Sequence, residues 1–572
     1  MNPGCRAGLR QALETHGDVV GSDYASIDAV SAEIHSSDVD AFASSACVKA
    51  VSADADVYAD AVNAPTSSIL EGSLETKPAQ ALSNTLRDTL GLPHYASLNS
   101  TVPTGAGGIA AVIIDSGIYP NGDFTGRIDG FWDFTKGRKA TAPFDDYGHG
   151  THIAGLIGSS GKLTNYEFQG IAPDIRLYGI KVLDSTGAGK TSDVIAAIEF
   201  VIANKTRLKV QIINLSLGHP FYAPAANDPL VQAVEKASAA GLYVVVANGN
   251  YGQRPDGTTG YAGITSPANA RSAISVGTTM TKDTVTRNDD RVAPYSSRGP
   301  TWYDARAKPD FVAPGHRLAS DAAIDSTLYL RALLNRSNLK SRNGQPLLIL
   351  SGSSMSAAVT TGVVAVVLQA HNETGFRRQK ALSTNLMKAL IDYTAIRVAD
   401  ADYLTQGAGQ INAAGAIVLA RAIDTSRPAH SWWLATGVTE STRIGKTTYA
   451  WATNVLWGDN VLWGDAIYKN LAAWGQNVLW GDNVLWGDNV VWGDNVVWGD
   501  NILWGENIVW GDYLLGMLRG KNILWGDNIL WGELSATNVV WGDIIASNIL
   551  WGDNILWGDN VVWGDILGGL FQ

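Results

Sequence analysis

The sequence predicts an α/β fold: a parallel sheet with helices on both faces, preceded by a small α+β unit and followed by a β-rich repeat. Three observations carry this. Apolar, β-branched runs at Ile109–Ile114, Leu177–Val182, Val210–Leu215, Leu242–Ala247 and Ala273–Val276 alternate with helical stretches such as Ser192–Ala203 and Pro229–Ala240. Strands apolar on both faces, joined by helices, are the signature of a buried parallel sheet. The third observation is a tandem hexad, Asn-(Val/Ile)-(Leu/Val)-Trp-Gly-(Asp/Glu), with fifteen Trp-Gly pairs between Trp457 and Gly564.

Taken in order, residues 1–60 form the first unit. Arg6–His16 and Ser37–Ala43 read as helices, the second capped by its serine, and Ala29–Ile34 and Val48–Val57 as strands. Cys5 and Cys47, the only cysteines, either pair or stay free. A loose stretch, 61–104, reads as a linker together with the start of the next unit. The α/β domain spans 105–423, a polar linker 424–450, and the hexads 451–572.

Of the twelve net negative charges in 572 residues, eleven fall after residue 450, where 14 acidic residues meet three basic ones. Such a tail repels nucleic acid and anionic membranes and attracts cations. No run of eighteen apolar residues is present, so no membrane span is expected, and the first thirty residues lack a secretory signal pattern. Six is an even number, so successive hexads keep the same strand faces. A solenoid with three hexads per coil is one solution, with calcium expected between stacked aspartates and some tryptophans exposed.

Three segments offer chemistry. Asp115 ends the first apolar strand, His149 stands between two glycines before a helix, and Ser354 opens the apolar run towards Ala370. His152, three residues beyond His149, reads as a buried structural histidine, and no metal set is evident. A hydroxyl nucleophile needs a base, an acid to orient it and donors for the oxyanion. Asp115, His149 and Ser354 supply the first three, and Asn250, after the strand ending at Ala247, supplies an amide.

These segments resemble the subtilisin-like serine proteases, the subtilase family. The resemblance rests on Val112-Ile113-Ile114-Asp115-Ser116-Gly117, His149-Gly150-Thr151-His152-Ile153-Ala154-Gly155 and Gly352-Ser353-Ser354-Met355-Ser356. It is reinforced by Asn214-Leu215-Ser216-Leu217-Gly218, Ser296-Ser297-Arg298-Gly299-Pro300 and Lys308-Pro309-Asp310. The resemblance implies a serine endopeptidase needing no cofactor for its chemistry, with structural calcium as an option, polypeptide substrates and secretion from the cell. It implies Ser354 as nucleophile, His149 as base, Asp115 as its orienting acid and Asn250 at the oxyanion. Substrate would lie as a strand between Gly187-Ala188-Gly189 and Ser216-Leu217-Gly218. Ala247, Gly249 and Ser266-Pro267-Ala268 would wall the first specificity pocket. Tyr251, where some relatives carry glutamate, favours a neutral residue before the cleaved bond.

Chain departures from the family pattern are Asn248 for a small residue, Ala358-Val359 after the nucleophile, and 36 residues between Gly315 and Gly352 that imply an extra loop. Residues 1–60 resemble the family's inhibitory pro-domain, through Ile27–Ala32 and Val48–Asp54. That module opens with a strand not visible before Arg6, so an incomplete N-terminus is expected, with self-cleavage between about 58 and 80. The competing reading is an adhesive or surface-display protein whose repeats bind a surface or polymer and whose protease serves only maturation.

Overall fold

A computed structural model of the chain describes residues 1–59 except 3, then 84–93 and 105–453. Within the last span, 255, 305, 335–338, 377–378, 427–433 and 435–436 lie outside the description. Beyond 453 it describes only the backbone of strands between 483 and 563.

The centre is a nine-stranded sheet. Ala110–Asp115 is paired in parallel with Arg176–Lys181 on one side and Ile212–Leu215 on the other. Tyr243–Ala247, Ile274–Met280 and Phe311–Pro314 continue the parallel order outward from Ile212–Leu215. Ile128–Asp133 extends it on the other flank. Every residue of Ala110–Asp115 is buried, as expected for a strand covered on both faces. The predicted strands are therefore present, displaced by at most four residues at their ends. The helix Thr191–Leu208 is six residues longer than the expected Ser192–Ala203, beginning one residue earlier and ending five later. Helix Ser353–Asn372 is long and apolar enough to cross a membrane, yet it runs through the core and packs on helix His149–Gly158 and on the sheet.

The extra loop expected after Gly315 is structured. It holds a three-stranded antiparallel sheet of Leu318–Asp321, Leu339–Lys340 and Pro346–Leu350, together with helix Thr327–Leu334.

In the first unit, helix Arg6–His16 and strand Ala29–Glu33 match expectation, and Cys5 and Cys47 form a disulfide. Strand Val19–Tyr24 was not anticipated, because Gly21 and Ser22 interrupt its apolar alternation. Two expectations are corrected. Ser36–Asp38 is a 3-10 turn leading into helix Val39–Ala43, without a serine side-chain cap. Only Asp56–Tyr58 of the expected Val48–Val57 strand is extended in a ladder, and its partner is Ala188–Lys190, outside the unit. Pairing of this kind is invisible to local periodicity.

Both connecting stretches hold structured pieces. Most of 61–104 lies outside the described residues. Within 84–93, however, Arg87 is buried and donates to the carbonyls of Pro93, Gly170 and Ile171, so this piece belongs to the central domain. In the polar bridge, Ser441–Ile444 and Thr447–Ala450 form a hairpin. It is followed by Trp451, buried against Tyr393 with its indole N–H on Thr442 Oγ1 at 2.7 Å.

In the tail, alternate hexads pair in parallel and in register. Asn483 lies opposite Asn495, Asn495 opposite Asn507, and Trp486 opposite Trp498. A second ladder pairs Asn489 with Asn501. A repeat of two hexads between paired strands replaces the expected three. The expected calcium and tryptophan placements concern side chains outside the described residues, as do the hexads before 483.

Trp451→Ala in a Ser354→Ala background should cost about 3–5 kcal/mol, the usual loss on emptying a large aromatic site. A guanidinium unfolding midpoint unchanged from the parent would show that the hairpin does not stabilise the domain.

Candidate active site

Asp115, His149 and Ser354 come from three elements that converge at the carboxyl ends of the central strands, where open α/β sheets place their reactive groups. Asp115 is the last residue of its strand, and His149 the first of its helix. Ser354 is the second residue of helix Ser353–Asn372, close to the positive end of the helix dipole.

The imidazole of His149 is joined to the carboxylate of Asp115, with Nδ1 2.9 Å from Oδ1 and 3.0 Å from Oδ2. Both side chains are buried. Glycine makes this approach possible. A Cβ on Gly150 would stand 2.1 Å from the Gly117 carbonyl oxygen and 3.1 Å from Asp115 Oδ1. Gly117 itself has φ +134° and no room for a side chain beside the Phe144 carbonyl.

Asp145 is a positioning residue that the sequence reading did not single out. Its buried carboxylate accepts from the backbone N–H groups of Tyr147, Gly148 and Thr151 and from the hydroxyls of Ser116 and Thr151. Burial raises its pKa, and the Thr151 and Gly148 bonds oppose that rise. One carboxylate thus pins the turn that carries His149 to the residue after Asp115. Five donors around a single Asp require the fold to be known. The available sequence signal was only an Asp four residues before a glycine-flanked histidine.

The Ser354 hydroxyl lies within donating distance of two carbonyl oxygens, that of Ala59 at 2.9 Å and that of Ser216 at 3.1 Å. Its backbone is held as well, since the Ser216 hydroxyl donates to the Ser354 carbonyl at 2.9 Å. Asn250 sits beside it, its Oδ1 accepting from the Ser353 N–H at 3.0 Å, which identifies the acceptor end of the amide. Ser353, also missed from sequence, accepts the Gly249 N–H on its hydroxyl at 3.1 Å. This ties the segment Ala247–Asn250 to the helix that bears Ser354.

The groove is filled by the chain itself. Asp56–Tyr58 pairs antiparallel with Ala188–Lys190, and Tyr58 exchanges both backbone hydrogen bonds with Gly218. The Ala59 N–H donates to the Gly187 carbonyl at 3.1 Å. The segment thus runs as a middle strand between Gly187-Ala188-Gly189 and Ser216-Leu217-Gly218, and ends against Ser354. Val57 is fully buried in it. Among the expected pocket walls, Ala247 is buried, and Gly249, at φ +101°, has no space for a Cβ against Thr265 and Ser297. Burial pushes the nearby Tyr251 phenol up to about 12, so it remains neutral.

His152 points away from the cleft, with Nε2 2.9 Å from the Leu318 carbonyl oxygen. Among the described residues, no metal-type cluster includes His149 or His152.

The subtilase family profile matches residues 107–416, and the chain belongs to this family. It is 36% identical over 315 residues to serine protease AprX of Bacillus subtilis, covering 54% of this chain and 66% of that one. It is 35% identical over 211 residues to proteinase T of Parengyodontium album, covering 35% and 64% respectively. With subtilisin DY of Bacillus licheniformis it shares 30% over 303 residues, 53% of this chain and 89% of the relative. The chain thus spans just under two thirds of the first two relatives and most of the third.

Gly150→Ala should leave the fold intact but lower kcat/KM by about 100-fold, the scale expected for roughly 1 Å of misplacement at a reacting group. Undiminished hydrolysis in the purified variant would show that Asp115 and His149 tolerate separation. A second expectation concerns acid. Burial lowers the His152 pKa to about 3, so the unfolded chain takes up a proton near 6.5 that the folded chain refuses. Stability should therefore fall as pH drops from about 6.5 towards 3. Melting of Ser354→Ala protein should show a shallower loss over that range when His152 is replaced by Gln, and equal slopes would remove His152 as a cause.

Proposed function

We propose that the protein is a secreted serine endopeptidase that works through an acyl-enzyme intermediate and matures by removing its own N-terminal segment. The observation that carries this reading is the Asp115–His149 pair at the base of a groove in which the Ser354 hydroxyl meets a bound backbone carbonyl. With Nδ1–H donated to Asp115, the His149 Nε2 lone pair is the base that takes the Ser354 proton. The serine oxygen bonds to the scissile carbonyl carbon, and the charge developing on its oxygen is met by the Asn250 amide and the Ser354 N–H. The protonated imidazole then gives its proton to the leaving amine. Water, deprotonated by the same His149, releases the acid and restores the serine. No cofactor enters these steps.

Residues 1–59 act as the inhibitory pro-domain in this reading. Their tail binds as a substrate would, through backbone ladder bonds that read extended shape, while buried side chains read sequence. Val57 supports a preference for an aliphatic residue at its position in substrates. Ala59 and the neutral Tyr251 support a small or uncharged residue before the cut. The contact between Ser354 Oγ and the Ala59 carbonyl supports the Ala59–Asp60 bond as the one processed. Extracellular relatives, such as the extracellular serine proteinase of a Thermus strain, support secretion.

Expression of the wild-type chain should yield an enzyme whose new N-terminus, read by intact mass, is Asp60. Ser354→Ala should stay full length and lose casein hydrolysis, and truncation after residue 453 should keep most of that activity. Cleavage persisting in Ser354→Ala would remove self-processing. Activity that vanishes with the repeats would favour the reading in which the tail is the working part.

A further inference from the structure

The first unit contains a group of side chains that the proteolytic reading leaves unused. His16 ends its first helix, Asp18 follows in the turn, His35 leaves strand Ala29–Glu33, and Asp38 closes the 3-10 turn. These four residues come together on one side of the unit. Ligand atoms of His16, His35 and Asp38 all lie within 4.8 Å of one another. His16 Nε2 is 3.6 Å from Asp38 Oδ2, and His35 Nδ1 is 3.8 Å from the same oxygen. Donors around a tetrahedral zinc ion, each about 2.0–2.1 Å from the metal, stand only slightly closer than this.

Asp18 supplies the second independent feature. Its side chain is fully buried, with Oδ2 3.1 Å from His16 Nδ1 and Oδ1 3.2 Å from His35 Nδ1. A carboxylate holding an imidazole by its second nitrogen is the usual device that fixes the ring of a metal-binding histidine. Asp18 does this for His16, whereas the His35 nitrogen facing Asp18 is the same one that faces Asp38. The His16 ring then turns Nε2 towards Asp38, and the two rings meet edge to face, 5.6 Å between centroids. His16 and His35 are half-exposed, so an ion reaches the site from solvent.

We propose that His16, His35 and Asp38 bind a divalent transition-metal ion of the zinc class, with water as fourth ligand and Asp18 as the residue that orients the His16 imidazole. The chemistry of the set decides the class of ion. Two neutral imidazoles and one carboxylate suit zinc and its neighbours, whereas calcium and magnesium take oxygen donors. The site would tie the end of the first helix to the turn after the second strand. A unit with so few buried apolar side chains (Leu13, Tyr24 and Val57 among residues 1–58) gains much from such a tie. The disulfide Cys5–Cys47 already closes the opposite part of the unit. The site stands on this geometry alone, whether or not the unit proves to be an inhibitor.

The test uses full-length Ser354→Ala protein, stripped with EDTA, dialysed, and titrated with cobalt(II) in excess calcium to occupy the acidic tail. One equivalent should give the strong visible absorption of four-coordinate cobalt, and zinc should displace it. His16→Ala and His35→Ala should each abolish the band while retaining the parent's circular dichroism in EDTA. Asp18→Asn should weaken affinity by about 10–100-fold. No band in the parent, or a band that survives His16→Ala and His35→Ala together, overturns the site. Unchanged affinity in Asp18→Asn overturns the orienting role.

Discussion

The contact between the Asp115 carboxylate and the His149 imidazole constrains everything around it. Both groups are buried, so each must be held by hydrogen bonds and by close backbone approach rather than by solvent. That approach requires the helix bearing His149 to press against the strand ending in Asp115, and it exists only because Gly117 and Gly150 lack side chains. Asp145 then locks the turn by accepting five hydrogen bonds from both sides of the junction. The parallel sheet is the platform that brings these pieces to one edge. Helix Ser353–Asn372, buried along its length, carries the serine to the same edge from 200 residues further on.

The groove shows how one geometry can both serve and restrain a site. Segments Ala188–Lys190 and Ser216–Gly218 present unpaired strand edges that accept a third strand. Residues 56–59 fill that place, and the remainder of the first unit secures them. The Tyr24 hydroxyl donates to the Ser192 carbonyl, Ser26 donates to Glu199, and the Asp54 carboxylate receives the Ser192 N–H at the start of helix Thr191–Leu208. A negative group at a helix N-terminus is favoured by the helix dipole. The anchor therefore lies on the very helix that follows one wall of the groove, which couples docking of the unit to occupation of the site.

Much of this was legible beforehand. Strands such as Leu242–Ala247 could be read because a strand covered on both faces must be apolar throughout. Asp115, His149 and Ser354 could be read because each sits in a run of small residues at the end of an element. Other features were hidden. Asp145 is one acid among many until its five donors are assembled. The strand Val19–Tyr24 carries too little alternation to be recognised, and Asp56–Tyr58 is extended only because the distant Ala188–Lys190 offers it hydrogen bonds. The stretch 424–450 looked like a linker because its residues are polar. Yet Tyr449 and Trp451 are buried against partners far away in the chain.

The amino-acid order alone determined the class of sheet and the family, and it singled out the three groups proposed to perform the chemistry, because these depend on local pattern and short motifs. Tertiary structure decided which segment occupies the groove and which carboxylate steadies the histidine. It also decided that Cys5 meets Cys47, and that the hexads pair with their second neighbours rather than their third. Each of these depends on contacts between residues distant in the chain, and such contacts leave no periodic trace in either partner.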